Sequence, residues 1–174
     1  DCNALWIEDI PIVDISDSTF TSNNNGRVGS QICTKCAQLT LQSTVVQFNE
    51  KKVPARGLHI FRHCMSSFTN CQFLNCNISE NGGAIYITND SPENNRTESL
   101  TLADCTFDKC DASNGAVIQG SITCNPTIRG CTVSNCNGGH YIISLFFDTI
   151  QQFVIVQDCT FTGNYFAGAS TSDA

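Results

Sequence analysis

Charged side chains are scarce in this sequence. Asp, Glu, Lys and Arg make up 14% of the 174 residues, whereas about a quarter is usual in soluble domains. Only 9 residues are Lys or Arg, and the formal net charge is −7. Nucleic acids and anionic membrane surfaces attract clusters of basic residues, so the composition argues against both as partners. No apolar run is long enough to span a bilayer, so we expect no membrane insertion.

Methionine is also rare, with one residue, and the chain does not begin with it, whereas cysteine is abundant, with 12. Disulfides are typical of oxidising compartments. We therefore expect a mature secreted chain whose signal peptide has been removed, located outside the cell or on its surface. A length of 174 residues allows one domain with a sizeable core.

Short motifs recur along the chain. DSTFTSN begins at Asp17, DCTFTGN begins at Asp158, and NCQFLNC, DCTFDKC and GCTVSNC lie between them, with a degenerate copy, STVVQFN. The second residues of the copies, which we call the marker residues, are Ser18, Thr44, Cys71, Cys105, Cys131 and Cys159. They are separated by 26, 27, 34, 26 and 28 residues, and the long interval holds TNDSPENNRTES, a polar run typical of an inserted loop, at 88–99. A fixed period of about 20 to 50 residues indicates a repeat architecture.

Each repeat has the pattern of strand, corner and strand. Alternating apolar residues precede the marker, as in Leu100-Thr-Leu102, and a Phe or Val follows it on the same strand face. A Gly lies a few residues beyond, as at Gly83, and opens a second apolar stretch. The pattern favours an all-β fold: a single-stranded, right-handed parallel β-helix (solenoid) of about six coils. A leucine-rich repeat would need another leucine spacing and a helical return, and an antiparallel sandwich would not need a period.

The repeats predict a single domain over residues 1–174 with an internal core. We expect repeats near residues 15–40, 41–67, 68–101, 102–127, 128–155 and 156–174, after an N-terminal cap or partial coil at 1–14. Equivalent residues of neighbouring coils would stack and form a core ladder from Phe20, Val46, Phe73, Phe107, Val133 and Phe161.

Two motifs resemble those of a known family. GGAI spans Gly82 to Ile85, NGAV at Asn114 is a near match, and F-x-x-N occurs at Phe20 to Asn23 and at Phe161 to Asn164. The chain thus resembles the repeats of polymorphic outer membrane proteins, which carry GGA[ILV] and FxxN motifs. In three repeats a Cys replaces the Asn of FxxN, at Cys76, Cys110 and Cys136. The resemblance implies a surface-exposed β-helical passenger that acts as an adhesin.

The cysteines recur in pairs with one spacing. Both members are present in three repeats and absent in two, which favours disulfide staples within a repeat: Cys71 with Cys76, Cys105 with Cys110, and Cys131 with Cys136. Links between stacked cysteines of neighbouring coils are the competing arrangement. Adjacent strands lie about 4.8 Å apart, inside the Cα separation that a disulfide allows.

A C-x-x-C motif lies earlier in the chain, at Cys33 and Cys36. A zinc site would need a second pair of ligands at a suitable spacing, and none is evident. We therefore expect these two cysteines to be disulfide partners or a staple rather than a redox or metal site, and we expect no cofactor.

Three N-x-[S/T] sequons are present, at Asn77, Asn89 and Asn95. Two lie in the expected inserted loop, and Asn95 is the best candidate for an N-glycan because Pro92 follows the sequon of Asn89 directly.

The acidic residues and histidines bear on a catalytic role. Right-handed β-helices include pectate lyases and polygalacturonases, and hydrolysis of a glycosidic bond needs convergent carboxylates. Asp17, Asp104 and Asp158 recur instead as a feature of the repeat, which favours a corner or stacking role, and the three histidines are scattered over different repeats: His59, His63 and His140. We expect no enzymatic activity, with a carbohydrate-active enzyme of this kind as an alternative function.

Threonines on the expected outer face suggest another alternative. The residue after each marker is Thr in four of the six repeats: Thr19, Thr106, Thr132 and Thr160. Regular Thr-x-Thr stacks are how some β-solenoids bind ice, but Thr is also a good exposed strand residue, and Gln47, Leu74 and Asp108 interrupt the second column.

The function we expect is that of an extracellular structural or adhesive β-helix, which self-assembles into a filament or forms part of a surface stalk. Terminal coils of a β-helix leave strand edges and apolar residues open, and head-to-tail contacts between them yield fibres. The expected partners are other copies of the chain, bound end to end, with host-surface or matrix glycans or proteins as a second class.

Overall fold

Short β-strands form the regular structure of the chain. A computed structural model describes residues 2–22, 29–48, 55–61, 65–78, 81–88, 99–122, 125–147 and 153–166. β1 to β5 are Cys2–Ser16, Thr19–Ser22, Gly29–Gln42, Val45–Phe48 and Ala55–Phe61. β6 to β10 are Met65–Thr69, Gln72–Leu74, Ile85–Thr88, Ser99–Ala103 and Thr106–Asp108. β11 to β16 are Ile118–Ile122, Thr127–Arg129, Thr132–Ser134, Ile143–Phe147, Ile155–Gln157 and Thr160–Thr162.

Strands of successive coils pair in parallel and form three stacks. β2, β4, β7, β10, β13 and β16 follow one another in a six-stranded sheet, with one strand from each repeat. The ten-stranded sheet has two arms, because the first half of β3 pairs with β5 and the second half with β6. One arm continues through β8, β11 and β14, and the other through β9, β12 and β15. The chain visits the three stacks in turn, which makes the fold a parallel β-helix and confirms the predicted fold class.

The N-terminal segment, expected to be a cap or partial coil, lies in β1. This strand pairs in parallel with β3 from Cys2 opposite Ser30 to Ser16 opposite Gln42. The expected inserted loop was 88–99; Thr88 ends β8, Ser99 begins β9, and residues 89–98 lie outside the described part of the chain.

The core lies between the three stacks because inward and outward residues alternate along each strand. In β9, Leu100 and Leu102 are 2% and 0% exposed, while the residues between and beside them are half-buried. The six residues of the predicted ladder lie opposite one another in register in the six-stranded sheet. The rings of Phe73 and Phe107 stack with their centroids 5.2 Å apart. Burial of these side chains supplies the main driving force for folding.

Left-handed backbone conformations make the corners on both sides of the six-stranded sheet. The residue before each marker has a φ between 48° and 64°. These residues are Asp17, Ser43, Asn70, Asp104, Gly130 and Asp158. A second set, with φ between 54° and 62°, follows four of the strands: Asn75, Lys109, Asn135 and Gly163. Asp, Asn and Gly tolerate this conformation best, which explains why the repeated motif opens with them.

The GGAI motif makes the corner before β8. Gly82 has a φ of 71° and stacks on Gly115, whose φ is 61°. A Cβ on Gly83 would lie 2.4 Å from the Ala116 carbonyl oxygen, and one on Gly115 would lie 2.2 Å from the Ile118 oxygen. NGGAI and NGAVI therefore occupy equivalent corners of neighbouring coils, where only Gly fits at the left-handed position.

Candidate functional site

The marker residues share one hydrogen bond. Each side chain donates to the backbone carbonyl two residues earlier, at 2.8 Å from Ser18 Oγ, 3.0 Å from Thr44 Oγ1, and 3.2 to 3.4 Å from the sulfur atoms of Cys71, Cys105, Cys131 and Cys159. In five of the six repeats this carbonyl also accepts a backbone N–H from the preceding coil. The marker side chain therefore uses the second lone pair of the oxygen and holds the corner against the strand before it. The sequence carries a signal for this role, namely the exchange of Ser, Thr and Cys, which are all small donors, at one position.

The position of the FxxN asparagine has a second shared bond. Cys110 donates to the Phe73 carbonyl at 3.5 Å, and Cys136 donates to the Phe107 carbonyl at 3.8 Å. Asn164 Nδ2 donates to the Val133 carbonyl at 3.1 Å. The acceptor is in each case the ladder residue of the preceding coil. Cys and Asn therefore replace one another because each supplies a donor that joins two coils.

The predicted disulfides within repeats are absent from the structure, and that prediction is corrected. The six cysteines concerned, Cys71, Cys76, Cys105, Cys110, Cys131 and Cys136, are buried thiols. The two cysteines of a repeat lie at opposite ends of a three-residue strand, such as β10. At about 3.3 Å per residue this places them roughly 10 Å or more apart, beyond the reach of a disulfide.

The cysteines instead stack as two columns along the axis of the β-helix. The first column contains Cys71, Cys105, Cys131 and Cys159. Hydrogen bonds to Cys131 and Cys71 raise the pKa of the Cys105 thiol. The same bonds lower the pKa values of Cys71 and Cys131 to about 7, against the burial that raises them. The second column contains Cys76, Cys110 and Cys136, and burial raises the pKa of the fully enclosed Cys110.

The two cysteines of the C-x-x-C motif differ in state. Cys33 is disulfide-bonded, whereas Cys36 is a buried thiol that accepts a hydrogen bond from Thr34 Oγ1 at 3.0 Å. The expected disulfide is therefore present at Cys33, and the same expectation is wrong for Cys36, so the motif does not close on itself.

A cluster of polar and aromatic side chains lies on the outer face of β5 and β8. The Arg56 guanidinium carbon is 4.5 Å from the centroid of the Tyr86 ring, and the His59 ring centroid is 4.9 Å from the same ring. Burial, followed by the charge of Arg56, lowers the pKa of His59 from 6.5 to about 4. His59 is therefore neutral at physiological pH, and the cluster carries one positive charge, on Arg56.

The recurring aspartates do not form a cleft. Asp17, Asp104 and Asp158 are exposed and occupy equivalent left-handed corners. Asp17 and Asp104 are separated in the stack by two intervening coils, and Asp104 and Asp158 by one. Among the described residues, no three of His, Cys, Asp and Glu are grouped so that they could hold a metal ion.

The threonine positions lie on the outside of the six-stranded sheet. Thr106 pairs with Gln72 on one side and with Thr132 on the other, and Thr132 pairs with Thr160. Two residues further along each strand, at Asp108 and Ser134, the outer face is bonded internally: Ser134 Oγ and Asn135 Nδ2 each donate to Asp108 Oδ1 at 2.8 Å. Burial acts to raise the pKa of Asp108, but these two bonds and the charge of Lys109 hold it below its usual value. An internal hydrogen-bond network thus occupies part of this face.

Of the three sequons, the structure describes only that of Asn77. This residue is half-buried and forms a parallel bridge with Asp111 of the next coil. Asn89 and Asn95 lie outside the described residues, as does His63.

Apolar side chains are exposed on the last described coil. Val156 in β15 is 49% exposed, and Phe161 in β16 is 45% exposed, although their equivalents in earlier coils are buried. Ile128 and Val133, on which they stack, are 2% and 1% exposed. At the other end of the stacks Ile12 in β1 is 59% exposed on the outer face, whereas Val13, which lies opposite the buried Leu39, is 8% exposed. The last described coil therefore presents the cross-section of the core.

Comparison with known proteins assigns the family. The model of the right-handed beta helix region matches residues 13–174. The chain belongs to this family, which agrees with the parallel stacks and gives the hand of the coil. No curated protein and no solved structure matches the chain. Among the residues that the structure describes, none lies in a helix long and apolar enough for a membrane span.

Proposed function

We propose that the chain is an extracellular structural or adhesive β-helix that associates end to end. The observation that carries the proposal is the match between the two ends of the six-stranded sheet. β2 has Thr19, Phe20 and Thr21 on one end, and β16 has Thr160, Phe161 and Thr162 on the other. Of the described strands, β4 alone pairs with β2, and β13 alone pairs with β16.

Stacking of one copy on another would continue the pattern already present inside the chain. Phe20 would lie on Phe161 as Phe73 lies on Phe107, and the open edges would gain backbone hydrogen bonds. The apolar surface left exposed by Val156 and Phe161 would be buried. Such a contact joins two different surfaces, so it generates a filament rather than a closed dimer.

The adhesin role implied by polymorphic outer membrane proteins forms part of the proposal. The support is the stacking of the GGAI and NGAV corners, which shows that both motifs have the same structural position. The long outer faces would then contact host-surface or matrix glycans or proteins. The proposal assigns no catalysis to the chain, and incubation with pectin or polygalacturonate should yield no cleavage products.

Sedimentation velocity over a wide concentration range tests the end-to-end contact. The unchanged chain should form a ladder of species that grows with concentration. Val156→Lys together with Phe161→Lys places two charges on the exposed end and should leave a monomer. Gln72→Lys together with Thr132→Lys is the matched control, because it adds the same two charges at exposed positions of inner coils. A monomer at every concentration for the unchanged chain would contradict self-association.

A further inference from the structure

The first column of cysteines places equivalent residues of neighbouring coils side by side. The backbone N–H of Thr106 donates to the Cys71 carbonyl at 2.8 Å, and the N–H of Thr132 donates to the Cys105 carbonyl at 2.9 Å. The N–H of Thr160 donates in the same way to the Cys131 carbonyl at 2.9 Å. The cysteines are thus locked in adjacent positions, one per coil, by the ladder that follows them.

The side chains in this column share one orientation. Cys71 Sγ donates to the Leu41 carbonyl, Cys105 Sγ to the Phe68 carbonyl and Cys159 Sγ to the Ile128 carbonyl, each at 3.5 Å. Adjacent strands are about 4.8 Å apart, and disulfides span Cα separations of about 4.4 to 6.8 Å. Neighbouring cysteines therefore have the backbone separation that a disulfide needs, whereas the two cysteines of one repeat do not.

We propose that this column is a set of oxidation sites, which close into two disulfides between coils, Cys71 with Cys105 and Cys131 with Cys159. Four thiols in a row can all be paired with a nearest neighbour only in this way, because a bond between Cys105 and Cys131 would leave the outer two without a partner. The second column holds three described thiols, so pairing within it can use only two of them.

The oxidant is a disulfide of low molecular weight, such as oxidised glutathione. The thiolate of one cysteine attacks a glutathione sulfur, forms a mixed disulfide and releases one reduced glutathione. The neighbouring cysteine then loses its proton and attacks the protein sulfur of that mixed disulfide, which releases the second reduced glutathione. Two thiols and one glutathione disulfide give one protein disulfide and two glutathione thiols, so atoms and electrons balance.

Access sets the order in which the two bonds form in the folded protein. Cys71, Cys105 and Cys131 are each 1% exposed, whereas Cys159, on the last described coil, is partly exposed. Glutathione can reach Cys159 without opening the core, so the bond to Cys131 closes first. The bond between Cys71 and Cys105 needs oxidation during folding or an opening of the inner coils.

The occurrence of these bonds in the native setting rests on the proposed extracellular location. The test in solution is independent of it, because the buffer supplies the oxidant, and it is separate from the sedimentation test of the ends. The reduced chain is refolded in a mixture of oxidised and reduced glutathione, alkylated and digested, and the linked peptides are identified by mass spectrometry without reduction.

We expect linked peptides that join Cys71 to Cys105 and Cys131 to Cys159. Links within repeats, a link between Cys105 and Cys131, or four alkylated thiols in this column would overturn the proposal. When the folded, reduced chain is treated with oxidised glutathione, the link to Cys159 should appear first, and earlier closure of the inner pair would overturn the order.

Matched serine variants distinguish the loss of a disulfide in the first column from the loss of the folded structure. Cys131→Ser replaces the thiol donor with a hydroxyl donor, which Ser18 already uses at the equivalent corner, so the coil should remain folded. In this variant the Cys71 to Cys105 link should persist and Cys159 should be alkylated. Cys136→Ser removes a thiol from the other column and should leave both links in place. Loss of the links in this control, with the fold retained, would contradict the assignment.

Discussion

Lys109 holds a left-handed backbone conformation at a corner where other repeats have Asn or Gly. Its φ is 55°, like the 57° of Asn75 and the 62° of Gly163. A side chain with a Cβ in this conformation costs about 1–2 kcal/mol per residue. The ion pair of Lys109 Nζ with Asp108 Oδ2, at 3.5 Å, is exposed and offsets little of this cost. The corner is therefore set by the register of the neighbouring coils rather than by the preference of this residue.

Lys109→Gly should raise the free energy of unfolding by about 0.5–1 kcal/mol, since relief of the strained conformation outweighs the greater entropy of the unfolded chain. Urea denaturation measures the change. Lys109→Ala is the matched control, because it removes the charge but keeps the Cβ, and it should not stabilise. Equal stabilisation by both variants would show that charge, not backbone strain, is the cause.

His59 makes stability depend on pH. Its pKa is lowered from 6.5 to about 4 in the folded state, so the unfolded chain binds more protons between these values. Stability should therefore fall as the pH is lowered from about 6.5 to about 4 and should lose nothing further from this group below that window. With partial solvent screening the loss is on the order of 1–2 kcal/mol. His59→Gln should reduce this pH dependence in thermal unfolding at several pH values, whereas His140→Gln, at an exposed position, should not.

At the scale of a strand, burial depends on the presence of a coil on each side. Phe107 in β10 is 0% exposed between Phe73 and Val133, whereas Phe161 in β16 has the same inward orientation and is 45% exposed. The two residues occur in almost identical motifs, DCTFDKC and DCTFTGN. Their energetic roles differ because only one of them has its ring covered on both faces.

Phe107→Ala should lower the free energy of unfolding by about 3–5 kcal/mol, because it removes a stacked ring and leaves a cavity. Phe161→Ala should cost about half of this or less in the monomer, since much of that side chain is already in contact with water. Chemical denaturation of both variants at low concentration measures the difference. Equal losses would mean that the last coil is as well packed as the inner ones.

Across the whole molecule, contacts run mainly between neighbouring coils. The most extensive contacts join β1 with β3 and β3 with β5, and each inner strand of the six-stranded sheet pairs with the strand before it and the strand after it in that sheet. The free energy of unfolding of such an array is approximately the sum of a contribution from each coil and a contribution from each interface between coils. Opening therefore begins at the ends, where a coil has one interface.

Hydrogen exchange should show a gradient along the axis. Amides of β7, β10 and β13 should be protected most, and those of β16 least, because local opening of the last coil breaks only one ladder. A mass-spectrometric exchange series at low protein concentration measures this. At high concentration the proposed end-to-end contact should raise the protection of β16 selectively, and uniform protection at both concentrations would contradict both statements.

Much of the fold was predictable from local pattern. The marker spacing, the Phe or Val two residues later and the corner residues predicted a parallel β-helix, because every coil repeats the same backbone path and equivalent side chains must stack. The register of Phe73 with Phe107 in the ladder follows from this period alone.

Two features depended on the tertiary structure. The first is which cysteines are neighbours. Cys105 and Cys110 are close in sequence yet lie at opposite ends of β10, whereas Cys105 and Cys131 are distant in sequence and adjacent in space. The other is the joint position of Arg56 and His59 of β5 with Tyr86 of β8, because these two strands belong to neighbouring coils and meet only when they pair. The repeat and its corners follow from the sequence, since these are local preferences of the backbone. Which side chains meet depends on the stacking of the coils, because a contact between coils is set by register and not by distance along the chain.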